Sequence, residues 1–399
     1  MDALYISKTS LLSGGGGGER RADAVSKRLA ERGHDVVVLS GKTAPGLPTW
    51  SEHEGRQIRH VTIVPDAAFR FETASFFLTR YLFPLVSLPV LLSLLLCRDF
   101  DVIVENMTPY PTLAVLLAQA CSVPIVAVQH EFFDSECFEV YDPVTATIQL
   151  TLQNFLRVFE YRSVIVPTSH VKRQFVDYGI DADRLSVIPN GVEYDRYQVP
   201  EHEHTEGRLV TVGRLTKRKG QATILRSVAD LRERGRDVRL DVVGSGPASG
   251  QLRELVEELG IEDSVTFHGY VTEETKIELL NRADLFVFAS LQEGFGIVLL
   301  EAMSAGLPVV ARDLPVYHDF FRDGDNGRLV SDGPETFADA VEALVTDRDA
   351  VASMRSRNKR DAKRYAWTAV ADETESLLQS AIENNTLETE SVTTPNDTT

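Results

Sequence analysis

Two α/β lobes, each a parallel sheet covered on both faces by helices, are the fold this sequence predicts, on three observations. Short apolar runs alternate with segments of helical period across most of the chain, which is the pattern of strands buried between crossover helices. The alternation stops at a polar, acidic stretch without periodicity, residues 193–207, and then restarts. The chain is 399 residues long, more than one hydrophobic core usually serves.

In the first half the strand-like runs are Ala3 to Ser7, Asp35 to Leu39, Ile58 to Val64, Asp101 to Glu105, Ile125 to Gln129 and Ser163 to Pro167. In the second they are Arg208 to Val212, Arg239 to Val243, Ser264 to Phe267, Leu285 to Ala289 and Pro308 to Ala311. The expected boundaries are a first lobe over 1–194, a connection over 195–207 with a cleft beside it, and a second lobe over 208–365. A C-terminal helix over 366–383 is expected to pack back on the first lobe. The residues from 384, rich in Thr, Asn and Glu, are expected to form a disordered acidic tail.

Hydrophobic residues make up 43% of the chain and charged ones 25%, the composition of a soluble globular protein. The formal charge of -18 argues against a nucleic-acid partner, since phosphate backbones are bound by clustered Lys and Arg. Nine lysines against 32 arginines, with that acidic surplus, suggest a proteome bathed in high intracellular salt. The expectation is a halophilic, archaeal source, with an ordinary acidic bacterial protein as the alternative. Cys97, Cys121 and Cys137 lack metal-ligand spacing and read as buried thiols in a reducing compartment. The first strand begins almost at once, with no leader of signal-peptide form, so a cytoplasmic location is expected. The leucine-rich segment Tyr81 to Cys97 is short for a membrane span and contains Pro84 and Pro89. It reads as a helix on the sheet edge or an in-plane membrane contact.

Four segments carry chemistry. The glycine run Gly14 to Gly18 follows the first strand and opens an amphipathic helix, so backbone amides and the positive helix end can approach an anion. The second strand ends in Leu39-Ser40 and lacks the acidic residue that would hold an adenine ribose, which argues against a dinucleotide. In VGRLTKRKG, Arg214 and Lys219 stand five residues apart around a basic turn, a rigid fork and a point charge suited to a diphosphate. In FVFASLQEGFGIVLLEAM, Glu293 lies in a loop and Glu301 on the following helix, which begins near Gly296. The two carboxylates bracket the helix start, placed to accept from a sugar and from a ribose. A solvated basic turn and a glutamate serving only the helix dipole are the plainer readings of these two segments. His130 follows an apolar run at the carboxyl edge of the first sheet, where open α/β sheets bind ligands, though a surface histidine has the same signature. Asp-X-Asp triplets beginning at Asp99, Asp181, Asp323 and Asp347 are what so acidic a chain yields by chance, and no metal site is assigned.

Taken together, the glycine loop with RLAERGHDVVVL, then VPTSHVKRQF, VIPNGV, VGRLTKRKG, VVGSGP, FHGYV, LQEGFGIVLLEAMSAGLPVV and Trp367 resemble glycosyltransferase family 4. These are retaining nucleotide-sugar transferases with two Rossmann-like lobes facing across a cleft, the glycosyltransferase B-type fold. The resemblance implies that Arg214 and Lys219 hold the donor diphosphate, with Gly16 and Gly17 facing it from the first lobe. It implies that Glu301 holds the ribose, and Glu293 with the Phe295 and Gly296 amides the transferred sugar. Ile297 and Val298, at the helix start, join the donor contacts. His130 matches the family's histidine near the anomeric carbon, and Tyr270 and Val271 fall where backbone meets the nucleobase. The residue after His130, often Asp in the family, is Glu131; Ala289 replaces a usual proline, and Asp313-Leu314-Pro315 replaces paired glycines.

The implied reaction moves a hexose-type sugar from a nucleoside-diphosphate donor, UDP- or GDP-linked, with no further cofactor. The departing diphosphate takes the acceptor proton, while the protein supplies positioning and charge. The expected acceptor is a glycan or a polyprenyl-phosphate-linked sugar, with Tyr81 to Cys97 as the contact to a membrane surface. The alternatives are another two-lobed sugar-nucleotide enzyme, or a sugar-nucleotide-binding subunit without activity of its own.

Overall fold

The computed structural model describes residues 1–8, 16–42, 44–65, 82–107, 111–135, 137–140, 143–199 and 206–393. The chain divides into two compact units, one made of Met1–Asn190 and Trp367–Thr399 and the other of Gly191–Ala366.

The first unit holds an eight-stranded sheet of β1 (Asp2–Ser7), β2 (Asp35–Gly41), β3 (Trp50–His53), β4 (Arg56–Val61), β5 (Val102–Met107), β6 (Ile125–Gln129), β7 (Ser163–Val166) and β8 (Leu185–Val187). Their spatial order is β3-β4-β2-β1-β5-β6-β7-β8. All pairings are parallel except β3 with β4. Val36, Val37, Val38 and Leu39 of β2 are fully buried, as a parallel strand with both faces covered requires. The helix Gly17–Glu31 buries Ala22, Val25 and Leu29 on one face, the three- and four-residue spacing that sets a helix on a sheet.

The helix Trp367–Thr393 places Trp367, Val370, Leu378 and Ala381 in the same core as Tyr5, Val25 and Val36. Arg32, at the end of the helix Gly17–Glu31, pairs with Asp372 and Glu375 on it. The helix extends to Thr393, past Asn384, where the acidic tail is expected to begin.

The second unit holds β9 (Arg208–Val212), β10 (Arg239–Val243), β11 (Val265–Gly269), β12 (Leu285–Phe288), β13 (Val309–Arg312) and β14 (Gly327–Val330), all parallel, in the order β11-β10-β9-β12-β13-β14. Leu209, Val242, Leu285, Val287 and Val310 meet Ile224, Leu225, Val228 and Val341 from the covering helices in one core.

Three strands are absent from the sequence reading. β3 and β4 form a hairpin turning through Glu54 and Gly55, both at positive φ, and the residues of β3 are half-buried or exposed, so no apolar run marks it. β8 and β14 bury only their first residue, so neither carries the continuous apolar run that marks the equally short β7, β12 and β13. Part of the connection expected at 195–207 is ordered: Tyr194–Tyr197 forms a 3-10 turn with Tyr197 buried, and Gln198 Nε2 donates to the Ser304 carbonyl at 2.9 Å.

Tyr81 lies outside the described residues. After it, residues 82–86 are helical and a second helix spans Leu88–Cys97. Within Leu88–Cys97 only Leu91 is buried, while Leu85 before it and Leu96 near its end are 59% and 73% exposed. The three cysteines are free, but only Cys137 is buried. Cys97 is exposed because the helix Leu88–Cys97 turns its last residues to solvent, which corrects the expectation of three buried thiols.

Candidate functional site

In the second unit the strand order reverses between β9 and β12, and open α/β sheets bind ligands beyond the carboxyl ends of their strands at such a switch point. The loops after these strands are held together by their backbones. Gly220 ends the 3-10 turn Lys217–Lys219 at φ 66, and a Cβ there would stand 2.0 Å from the Ala289 carbonyl oxygen. Leu291 N donates to the Arg218 carbonyl at 2.7 Å, and Ser290 Oγ donates to the same carbonyl at 3.3 Å.

This stitching brings Lys219 to Glu293, and the ammonium donates to Glu293 Oε1 while lying 5.4 Å from the Phe288 ring centre. The two side chains are 16% and 10% exposed. Burial pushes the Glu293 carboxyl up, but Lys219 and Arg218 outweigh it and hold the group below the usual carboxylate range. The carboxylate is therefore ionised at neutral pH.

Two residues beyond Phe295's neighbour Gly294 the chain enters the helix Ile297–Ser304 through Gly296, at φ 93. A Cβ on Gly296 would come within 2.8 Å of Tyr317 Cε1, so glycine lets the turn sit on the buried Tyr317 ring. Phe295 is buried and stacks on Phe320 at 4.8 Å, fixing the turn from its other side. Ile297 and Val298 form the half-buried first turn of this helix, whose leading amides have no intrahelical acceptor. Glu301 sits one turn further on, almost fully buried, with Oε1 2.8 Å from Lys276 Nζ.

Arg214 stands exposed on the loop after β9, its carbonyl accepting from Gln221 Nε2 at 3.2 Å. Tyr270 and Val271 follow the edge strand β11, with Tyr270 86% exposed and Val271 half-buried. The structure thus joins Lys219 directly to Glu293 and sets Phe295, Gly296, Ile297, Val298 and Glu301 on one turn and helix, with Arg214 on the adjoining loop.

In the first unit Gly16 caps the helix Gly17–Glu31 at the end of the loop after β1; Gly14 and Gly15 lie outside the described residues. His130 follows β6, and its Nε2 donates to Asn106 Oδ1 on β5 at 2.5 Å. Its Nδ1 is buried with no hydrogen-bond partner among the described residues. Burial, with nearby Arg21 adding to it, pushes the imidazole down to about 3. At neutral pH the ring is uncharged, with its proton on Nε2, and Nδ1 is a bare acceptor. No group of three or more metal-ligating side chains occurs among the described residues.

The sequence reading missed three residues. Asn106 orients His130, and Tyr317 lies under the Gly296 turn with a buried hydroxyl that has no partner among the described residues. Lys276 was legible in principle, as a lysine three, four and seven residues before Leu279, Leu280 and Ala283 on the apolar stripe of its helix. Asn106 and Tyr317 act across strands or elements, and no local pattern marks them.

Comparison with known proteins gives two family matches. The model described as "Glycosyltransferase Family 4" matches residues 15–196, and the one described as "Glycosyl transferases group 1" matches residues 196–364. A phosphatidyl-myo-inositol mannosyltransferase of Mycolicibacterium smegmatis is 32% identical over 284 residues, covering 68% of this chain and 69% of its own. A D-inositol 3-phosphate glycosyltransferase of Nocardia farcinica is 34% identical over 242 residues, covering 56% of this chain and 53% of its own, so the match spans about half of that relative. Among solved structures, Anabaena HepE in complex with UDP and glucose superposes with a TM-score of 0.72 at 18% identity, covering 95% of this chain and 100% of its own.

Proposed function

The chain belongs to the group 1 glycosyltransferases and has their two-lobed B-type fold, and from that premise we propose that it is a retaining enzyme moving a hexose-type sugar from a nucleoside-diphosphate sugar to a glycan or polyprenyl-phosphate-linked acceptor. The observation that carries the proposal is the Lys219–Glu293 pair at the sheet's switch point, beside the helix opened by Gly296. It sets a cation for a diphosphate and an ionised acceptor for sugar hydroxyls in contact, with a row of amides alongside.

In this reading Lys219 and Arg214 stabilise the charge that grows on the departing diphosphate, joined from the first lobe by Gly16 and Gly17. Glu293, with the Phe295 and Gly296 amides, orients the sugar; Glu301 accepts from the ribose, and Tyr270 and Val271 border the base. Neutral His130 offers Nδ1 as an acceptor to a sugar hydroxyl, since Asn106 holds its proton on the other nitrogen. The departing diphosphate oxygen takes the acceptor proton as the new glycosidic bond forms on the same face of the sugar. UDP and GDP are the donor nucleotides proposed; the UDP bound by HepE favours the first.

The lipid-linked acceptor is supported by the exposed leucines of residues 82–97, which give the first unit an apolar face for reversible membrane contact. No helix among the described residues is long and apolar enough to cross a membrane. The proposal is tested by adding UDP- and GDP-sugars with a polyprenyl-phosphate-linked sugar and measuring nucleoside diphosphate released. Release that depends on both donor and acceptor supports it, and nucleotide binding without release in any pairing favours a non-catalytic subunit.

A further inference from the structure

Lys276 lies in the first turn of the helix Glu273–Arg282, which starts at Thr272, whose Oγ1 accepts from Thr275 N at 3.3 Å. Its side chain is 6% exposed, on the stripe that also carries buried Leu279 and Leu280. An ammonium on an apolar face is costly unless paired, and a lysine this near a helix start can reach solvent by extending along the surface. Here Nζ is instead 2.8 Å from Glu273 Oε2 and 2.8 Å from Glu301 Oε1. Glu273 is 42% exposed and sits at the solvent edge, whereas Glu301 is 5% exposed. The charge is thus carried inward to a carboxylate on a different helix, and that carboxylate stands one turn beyond the amides that follow Gly296.

We propose that Lys276 is a positioning residue for donor binding: by holding Oε1 of Glu301 it presets this carboxylate as the acceptor for the ribose hydroxyls of the nucleoside diphosphate. The inference rests on the reading of Glu301 as the ribose contact. A fixed carboxylate recognises a vicinal diol without a loss of side-chain freedom on binding, and charge-assisted hydrogen bonds are the ones that discriminate strongly. A lysine serving stability alone would hold the two helices together and leave the nucleotide's sugar unread.

Two readouts separate these roles. Dissociation constants of the full-length protein and its Lys276→Met and Glu301→Gln variants are measured calorimetrically for UDP and 2′,3′-dideoxy-UDP, or for the GDP pair if GDP binds the wild type more tightly. The wild type is expected to prefer the ribonucleotide by about 10- to 100-fold, the worth of one or two hydrogen bonds to a charged group. Lys276→Met is expected to lose most of that preference, falling to a ratio within about threefold of Glu301→Gln, while its affinity for the dideoxy form stays near the wild-type value. An unchanged ratio in Lys276→Met, with both nucleotides weakened alike, overturns the inference and leaves the ribose reading standing. Absence of any preference in the wild type overturns the ribose reading itself. If Lys276→Met does not fold, Lys276→Gln carries the same test, and failure of both to fold assigns the lysine to stability.

Discussion

If Lys219 holds the donor diphosphate as proposed, donor binding competes with the ion pair that Lys219 makes with Glu293, which gives Glu293→Gln a double signature. The two side chains are 16% and 10% exposed, between a surface pair and a buried one. Surface pairs contribute up to about 1 kcal/mol, and removing one partner of a fully buried pair costs about 3–5 kcal/mol, so about 1–2 kcal/mol is assigned here. Glutamine is nearly isosteric and leaves Lys219 free for phosphate, so the affinity for UDP or GDP alone is expected to rise about 5- to 30-fold. Transfer is expected to fall on the order of 100-fold or more, because the proposed contact to the sugar is weakened in the transition state. Calorimetric titration with free nucleoside diphosphate, together with acceptor-dependent nucleotide release, measures both. Equal loss of affinity for the free nucleotide and for the nucleotide-sugar would refute the assignment of Glu293 to the sugar, and unchanged affinity would refute the competition between Glu293 and the diphosphate.

Arg214→Ala and Lys219→Ala should each cut turnover on the order of 100-fold without unfolding, as Arg214 is exposed and Arg218 remains beside Glu293 when Lys219 is lost; steady-state rates within twofold of wild type for both would remove the diphosphate site from this loop. His130 in the unfolded chain titrates near its ordinary 6.5, whereas burial holds it at about 3 in the fold, so the unfolded state binds the extra proton and stability falls as pH drops from 6.5 toward 3. The slope from this one site is at most about 1.4 kcal/mol per pH unit, and denaturant melts of wild type and His130→Gln at pH 7, 6 and 5 should show a shallower loss in the variant; parallel losses would contradict the buried neutral ring. A net charge of -18 should make the fold more stable in molar KCl than in dilute buffer, and a flat melting temperature across that range would remove the high-salt reading. Liposome flotation should be reduced by Leu85→Ser/Leu96→Ser, both exposed, and equal flotation of this variant would end the membrane reading of the segment.

The α/β class and the two parallel sheets were legible in the sequence because a strand buried on both faces must be continuously apolar, as Val36 to Leu39 are, and a covering helix must repeat every three or four residues, as Ala22, Val25 and Leu29 do. The helix start at Gly296 and the basic turn at Lys217–Lys219 were legible for the same reason: glycine and lysine at those offsets are local chemistry. Strands β3, β8 and β14 were not, because a strand that is mostly exposed or half-buried carries no continuous apolar run to read. Which charges meet was decided by the tertiary structure alone. Lys219 and Glu293 are 74 residues apart and Lys276 and Glu301 are 25 apart, and their contacts depend on the order β9-β12 and on the packing of two helices. His130 became a neutral acceptor only because β5 carries Asn106 to it from 24 residues away and burial removes its charge. Composition and period act along the chain; ion pairs, desolvation and orientation act through space, and for them the fold is the missing information.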